Sequence, residues 1–259
     1  MNIETNRPCV LDRIHKKLGK GIFVGDEQIE IAIAVIIGAG YARAVTLIVR
    51  RLLPENRNKP ASLIVAVEPV WADFGDKQIF EVGPGIIRHL GYIKNMPIKY
   101  TVCDINEDIL DVAEKQLQTA QIPCDTILLA RERSSELPFA DESFDIVISF
   151  NSLEHLYPLE NYLIETKRIL KKGGHLVGGI PCEGGLAWGL GRYLTTRRYV
   201  HKNYGINYDK IICWEHPNFV DFIIEQLDTH FQKSYLKFHP FSFLPIDFNL
   251  IASFIYIRN

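Results

Sequence analysis

The chain has 259 residues, of which 47% are hydrophobic and 23% charged, and its formal net charge is −2. This is the composition of a soluble globular protein, and 29 basic against 31 acidic residues give no overall basic surface, so we expect no nucleic-acid partner. The five cysteines form no CxxC pair, which favours reduced thiols in a cytoplasmic protein over a disulfide framework or a zinc site.

Residues 1 to about 75 are predicted to form a largely helical cap. Within this cap the apolar run Ile31–Ala42 is too short to span a membrane, and Gly38 and Gly40 weaken it further. A buried helix is the favoured interpretation, and an interfacial helix lying against lipid is the alternative. We expect no secretory leader, because the first residues are polar and Pro8 comes early.

From Ile79 onward, strand patterns alternate with helical ones, which predicts a mostly parallel sheet with helices on both faces. Five strands are expected, at Ile79–Val82, Lys99–Asp104, Thr126–Leu129, Phe144–Phe150 and His175–Pro181. Helices are expected after Asn106, from near Pro158 to Gly173, and from about Pro217 to Phe231. Two last strands, near Tyr235–Phe238 and Leu250–Ile257, are expected to pair as an antiparallel hairpin.

The turn after the first of these strands carries the strongest functional signal. Glu81-Val82 leads directly into Gly83-Pro84-Gly85, and the next strand ends on the carboxylate Asp104. Glycines let the backbone approach a ligand closely, and a carboxylate at this place accepts hydrogen bonds from ribose hydroxyls. The interval from Glu81 to Asp104 is close to the roughly 20-residue spacing of such units, so the pattern predicts an adenosine-containing cofactor.

Three further motifs follow in order: Leu137-Pro138-Phe139, Phe144-Asp145-Ile146-Val147 and Leu153-Glu154-His155. Together with the glycine turn and Asp104, they make residues 75–182 resemble the class I S-adenosylmethionine-dependent methyltransferases, in particular the small-molecule family often labelled type 11. The resemblance implies an α/β, Rossmann-like fold whose mostly parallel sheet has seven strands and a C-terminal antiparallel hairpin. It also implies S-adenosyl-L-methionine as the cofactor.

The same resemblance implies a role for each motif residue. The amino-acid end of the cofactor would be lined by Glu81, Gly83 and Gly85. Asp104 would hold the ribose, and Ile105 would lie against the adenine. At the end of the fourth strand, Phe150 and Asn151 would lie near the transferred methyl group.

The chain departs from the family pattern at two positions. The third glycine of the family falls at Ile87, which predicts a differently placed helix or a bulkier pocket floor. The acidic residue that contacts the adenine amino group aligns with Arg133, and the adjacent Glu132 is the expected substitute. These changes affect the expected cofactor affinity more than the expected fold.

Four residues are candidates for a catalytic role: His155, His216, Glu183 and Tyr204. A histidine suits proton transfer near neutral pH. A packing or capping role is the competing interpretation for His155 and Glu154, and a structural role for His216. No metal site is expected.

Residues 182–213 are predicted to form a substrate lid. Between 186 and 213 there are five basic residues against one aspartate, and four tyrosines are interleaved with them. Such a segment suits an anionic or sugar-like acceptor, and a solvated surface insertion is the alternative.

These observations predict a helical cap at 1–75 and a methyltransferase domain at 76–259 that acts on a small-molecule acceptor. The first alternative is a non-catalytic member of the fold that serves as a binding or scaffold protein. The second is a methyltransferase acting on protein or RNA, which the charge balance disfavours. Contact with a membrane surface and the oligomeric state stay open.

Overall fold

The computed structural model describes residues 29–36, 44–51, 62–65, 74–87, 89–90, 93, 95–130, 136–194, 196–205 and 207–259. Two sheets are present in this part of the chain. A three-stranded sheet lies near the N-terminus, and a seven-stranded sheet forms the centre of the rest.

The N-terminal sheet corrects the prediction of a helical cap. Its antiparallel strands are Ile29–Ile36 (β1), Ala44–Arg51 (β2) and Ser62–Val65 (β3). The helix predicted within Ile31–Ala42 is therefore wrong for residues 31–36, and residues 37–42 lie outside the described part. Large and small residues alternate along β1, with β-branched side chains at every second position, and this period of two favours a strand.

The seven-stranded sheet has the order β6-β5-β4-β7-β8-β10-β9. Its parallel strands are Gln78–Val82 (β4), Lys99–Asp104 (β5), Cys124–Leu128 (β6), Phe144–Phe150 (β7) and Leu170–Pro181 (β8). The last two strands are Gln232–His239 (β9) and Ile251–Ile257 (β10). Strand β10 runs antiparallel to both β8 and β9, which confirms the predicted C-terminal hairpin.

Helices cover both faces of this sheet, as predicted. The six helices of the described residues are Glu107–Thr119 (α1), Leu159–Ile169 (α2), Leu186–Leu194 (α3), Thr196–Tyr204 (α4), Tyr208–Glu215 (α5) and Val220–His230 (α6). None of them is long and apolar enough to cross a membrane. Helix α2 ends at Ile169, before the predicted Gly173, because Leu170 already pairs with Phe144 in the sheet.

Alternate side chains of each strand belong to two separate cores. Phe80 packs into a core that includes Leu163 of α2 and Leu227 of α6. Its neighbour Ile79 packs on the opposite face, in a core that includes Leu117 of α1. Both faces are therefore covered, which is why the strands read as nearly continuous apolar runs.

Two features of the fold determine where a ligand site can form. The chain runs from β4 outward to β5 and β6, and then returns to β7 on the other side of β4. In open α/β sheets, ligands bind at the carboxyl edge where the strand order reverses in this way. Helices α3 to α5 are inserted between β8 and α6, and they follow directly from this edge.

Candidate active site

The glycine turn after β4 has the backbone geometry that the sequence predicts. Gly83 and Gly85 have φ angles of +61° and +51°, a region that residues with a side chain rarely adopt. A Cβ atom at Gly83 would lie 3.1 Å from Cβ of Ser152, whereas a Cβ at Gly85 would meet none of the described residues within 4 Å. Gly83 thus lets two turns pack closely, and Gly85 leaves open space above the turn.

Asp104 lies at the carboxyl end of β5, beside the glycine turn. The N–H of Gly83 donates to the Cys103 carbonyl at 2.9 Å, which joins the two strand ends. The Asp104 carboxylate is partly buried and accepts the Asn106 N–H at 2.8 Å, and burial raises its pKa. The adjacent Ile105 is exposed. A carboxylate and an apolar side chain therefore stand side by side at this edge, as a nucleoside site requires.

Glu81 belongs to a buried network that sequence reasoning did not identify. The Tyr100 hydroxyl donates to Oε2 of Glu81 at 2.6 Å, and Nε2 of His89 lies 2.8 Å from the same hydroxyl. All three side chains are at most 5% exposed. Burial raises the pKa of Glu81 to about 8, although the hydrogen bond from Tyr100 opposes the shift, and burial lowers the pKa of His89 to about 4.

At neutral pH the Glu81 carboxyl is therefore mostly protonated and paired inside the protein. The network reaches the methyl end of the predicted site, because the His89 ring lies 5.3 Å from the ring of Phe150 at the end of β7. The presence of Tyr100 inside an apolar strand was the one signal for it in the sequence.

Ile87, in place of the third glycine, is part of the protein core. Its side chain is 3% exposed, and its N–H donates to Oε1 of Gln116 in α1 at 2.9 Å. Among the described residues between β4 and β5, only a short turn at residues 89–90 is helical. The isoleucine thus fills space beneath the turn, while the region above Gly85 stays open.

The turn after β7 is held against β8. Asn151 has a φ angle of +51°, and its N–H donates to the Gly179 carbonyl at 2.9 Å. A left-handed asparagine is uncommon and marks a backbone fixed by its surroundings. Asp145, at the start of β7, accepts the Gln78 N–H at 2.9 Å and pairs with Lys171, so its carboxylate has a structural role that joins β7 to β4 and β8.

Three of the four catalytic candidates lie together at the carboxyl edge. Nδ1 of His216 makes a short hydrogen bond with Oε2 of Glu183, a residue that follows β8 and is 4% exposed. The rings of His216 and His155 lie 4.3 Å apart at right angles. Nδ1–H of His155 donates to the Glu215 carbonyl at 2.8 Å. Desolvation lowers the pKa of His155, and the nearby charge of His216 lowers it further.

Glu154 adds a second buried carboxyl next to this histidine pair. It is 2% exposed, and its Oε2 atom has no hydrogen-bond partner in the described structure. Burial raises the pKa of Glu154 to about 7, while the charge of His216 opposes the shift and that of Glu183 reinforces it. A partly buried imidazole that is hydrogen-bonded to a buried carboxyl group is typical of sites that move protons.

Basic residues of the predicted lid form ion pairs, and some of them also line a cavity. Arg197 pairs with Asp209 at 2.7 Å, and Arg192 lies 3.6 Å from both Asp209 and Glu183. A cavity of about 300 Å³ is lined by Tyr193, Arg197, Arg198, His201, Gly205, Asn207 and Tyr208. The cavity is open to solvent, because Tyr193, Arg198 and His201 on its lining are exposed, and it brings cationic and aromatic groups together.

Some predicted positions are not described. Glu132 and Arg133 lie outside the described residues, and the side chain of Tyr204 on α4 does too. In the described part, no group of three or more histidine, cysteine or acidic side chains could hold a metal ion.

Comparison with known proteins finds similarity over part of the chain. Residues 80–178 match the family model described as a methyltransferase domain. Over 106 residues the chain is 31% identical to the phthiotriol/phenolphthiotriol dimycocerosates methyltransferase of Mycobacterium tuberculosis, covering 40% of this chain and 37% of that one. Over 109 residues it is 30% identical to the fatty-acid O-methyltransferase of Mycolicibacterium smegmatis, covering 41% and 38%. The match thus spans less than half the length of these relatives.

Solved structures show the same fold. An S-adenosylmethionine-dependent methyltransferase from Aquifex aeolicus superposes with a TM-score of 0.50 at 12% identity, covering 72% of this chain and 85% of that one. The [4+2]-cyclase SpnF superposes with a TM-score of 0.51 at 14% identity, covering 71% and 76%. Residues 80–178 therefore match a methyltransferase domain, and their fold is shared with a solved S-adenosylmethionine-dependent methyltransferase.

Proposed function

We propose that this protein transfers a methyl group from S-adenosyl-L-methionine to a hydroxyl group of a small anionic acceptor. One observation carries the proposal: the glycine turn with Asp104 and the His216–Glu183 pair follow strands that end at the same edge of one sheet. The first group suits the cofactor, and the second suits removal of a proton from the acceptor.

The residues present fit the cofactor. The open space above Gly85 admits a ligand close to the backbone, and Asp104 offers a carboxylate for the ribose hydroxyls with Ile105 beside it. Phe150 and Asn151 follow β7, where the methyl end would lie. When bound, S-adenosyl-L-methionine supplies a methyl group on a positively charged sulfur, which a nucleophile takes by in-line displacement.

The proton of the acceptor hydroxyl would pass to His216. Because Nδ1 of His216 is bound to Glu183, Nε2 is the nitrogen that remains to accept a proton. The Glu183 carboxylate would hold the ring in this orientation and stabilise the positive charge it acquires. As the O–H bond of the acceptor breaks, its oxygen forms the new bond to carbon.

The lid cavity supports an anionic acceptor. Arg197 and Arg198 line it together with Tyr193 and Tyr208, and arginine pairs well with carboxylates and phosphates. One of the two mycobacterial relatives is a fatty-acid O-methyltransferase, and a fatty acid carries an acidic group on a hydrocarbon chain. An acceptor with an acidic group and an apolar part agrees with both observations.

The test separates cofactor binding from proton removal. Calorimetry is expected to show binding of both S-adenosylmethionine and S-adenosylhomocysteine, and no binding of either at millimolar ligand would refute methyl transfer. Labelled methyl transfer is then measured to 4-hydroxybenzoate, whose hydroxyl must lose a proton, and to dodecanoate, whose carboxylate need not.

His216→Asn is expected to lower kcat for the hydroxyl acceptor about a hundredfold or more, because a general base contributes at least this much. It should leave cofactor affinity and transfer to dodecanoate nearly unchanged. His230→Asn, on the partly exposed end of α6, serves as the control. An unchanged kcat in the His216 variant would remove the histidine from the mechanism.

A second function is favoured by the state of Glu81. Its carboxyl is buried against Tyr100, and a methyltransferase fold does not by itself mean methyl transfer, as the name of the [4+2]-cyclase SpnF illustrates. A binding protein of this fold would bind the acceptor but show no turnover with any methyl acceptor, even with the cofactor bound.

A further inference from the structure

Helix α3 is apolar, yet none of its residues is buried. Leu186, Leu190 and Leu194 recur every fourth residue and therefore lie along one side of the helix. They are 69%, 60% and 48% exposed, and Tyr193 beside them is 48% exposed. A row of leucines left in water at one side of a helix marks an interaction surface rather than a core.

Aromatic side chains from two other segments extend this row. At the start of α3, a Cβ atom on Gly184 would lie 3.6 Å from the ring of Phe219, which is 51% exposed. A Cβ on Gly185 would lie 3.1 Å from Cα of Asp247, so α3 begins directly against the turn Ile246–Phe248. Phe248 on this turn is 49% exposed.

The loop before this turn holds a third aromatic group outward. Phe243 is 82% exposed, the largest exposure among the large apolar side chains of the described residues. The Asn249 side chain donates to the carbonyls of Phe241, Leu244 and Pro245 at 2.9–3.1 Å, so the loop is fixed by internal hydrogen bonds. We call Leu186, Leu190, Leu194, Phe219, Phe243 and Phe248 the apolar surface.

Cationic residues follow the apolar surface on the next two helices. Arg198, Lys202 and Lys210 are exposed, and no ion pair joins them to another part of the described structure. Arg192 and Arg197, in contrast, pair with Asp209. Within the described structure, the positive charge without an ion-pair partner therefore lies on α4 and α5, the two helices that follow α3 in the chain.

We propose that the apolar surface and these cations dock the protein on an anionic lipid bilayer. Leucine and phenylalanine side chains enter the boundary between headgroups and acyl chains, while lysine and arginine contact the negative headgroups. The helix lies on the bilayer and does not cross it, because α3 has only nine residues.

Two other partners for the apolar surface are the N-terminal segment of this chain and a second copy of the chain, and charge disfavours both. Residues 1–73 contain ten basic and eight acidic side chains, so this segment is itself positive and does not complement the cations of α4 and α5. A second copy of the chain, docked by the same surface, would bring two identical cationic groups together. An anionic bilayer meets both the apolar and the positive part.

Co-sedimentation with vesicles tests the proposal on the full chain, with no cofactor or acceptor present. The protein should bind vesicles of phosphatidylcholine mixed with phosphatidylglycerol at least tenfold more tightly than phosphatidylcholine alone, and added salt should weaken the binding because it screens the cations. Absence of binding to the anionic vesicles would overturn the proposal, whatever the outcome of the methyl-transfer assays.

Two double variants examine the two parts of the surface. Leu186→Ser with Leu190→Ser should weaken vesicle binding at least tenfold, and Lys202→Glu with Lys210→Glu should do so at low salt. The matched control is Val112→Ser with Ile164→Ser, which changes residues 44% and 49% exposed on α1 and α2. An equal loss in the control would contradict the proposal. So would a dimer in sedimentation velocity that the leucine variant dissociates.

Discussion

Replacement of Glu81 by glutamine gives the sharpest test of the buried network. Glutamine has the shape of the protonated acid, and its carbonyl oxygen can accept the hydrogen bond that Tyr100 donates to Glu81. The substitution therefore keeps the packing and removes only the titration of the carboxyl group.

The size of the effect follows from the pKa. Burial raises the pKa of Glu81 from 4.5 to about 8 in the folded protein. A raised pKa means that the folded state binds the proton more tightly than the unfolded chain. The stability is therefore full below about pH 4.5 and falls as the pH rises toward 8. At 1.36 kcal/mol per pH unit, the loss is on the order of 2–3 kcal/mol between pH 5 and 7, and about 5 kcal/mol in all.

The free energy of unfolding of both proteins would be measured by urea denaturation from pH 5 to pH 9, with circular dichroism as the signal. Wild type should lose about 2–3 kcal/mol more than Glu81→Gln between pH 5 and 7. Glu225→Gln, at an exposed position on α6, should follow the wild-type curve. Parallel curves for wild type and Glu81→Gln would show that Glu81 is ionised at neutral pH in the folded state and that the buried network is wrongly described.

Two further substitutions test the cofactor edge. In calorimetry, Asp104→Ala should weaken binding of S-adenosylmethionine at least tenfold, or about 1.4 kcal/mol. Asp108→Ala, at an exposed position, is the control. Equal affinity of wild type and Asp104→Ala would show that Asp104 does not hold the ribose. Gly83→Ala should lower the free energy of unfolding by about 1–2 kcal/mol, because alanine is strained at this positive φ angle. The loss should be larger than for Gly85→Ala, because Cβ of Ser152 lies 3.1 Å from the atom added at position 83. Equal losses would show that Ser152 moves freely.

The sequence was sufficient to predict the strands of the central sheet. Lys99–Asp104 and Phe144–Phe150 have the predicted bounds, because each is an apolar run that stops at a polar turn. Residues 31–36 of the run Ile31–Ala42 were predicted as helix but belong to the strand Ile29–Ile36, because a short apolar run does not by itself distinguish a buried helix from a strand. The hydrogen-bonded partners of this strand lie on β2, which is a property of the fold and not of the run.

The candidate site was predicted residue by residue, but not as an arrangement. His216 and Glu183 were each named as candidates, yet their contact joins positions 33 residues apart and depends on where the lid helices fold back. The network of Glu81, Tyr100 and His89 was missed, because a tyrosine in a strand is also an ordinary core residue. Burial, which the sequence does not show, shifts the pKa values of Glu81, Tyr100 and His89.

The segment from Glu183 to Val220, which includes most of the predicted lid, begins and ends at almost the same point. The carbonyl of Glu183 accepts the Val220 N–H at 3.5 Å, so the segment between them is a loop whose two ends touch. Segments with adjacent ends are tolerant of exchange, because their replacement does not require the strands to move. We therefore expect that exchange of this one segment changes the proposed acceptor specificity without displacing β4 and β5.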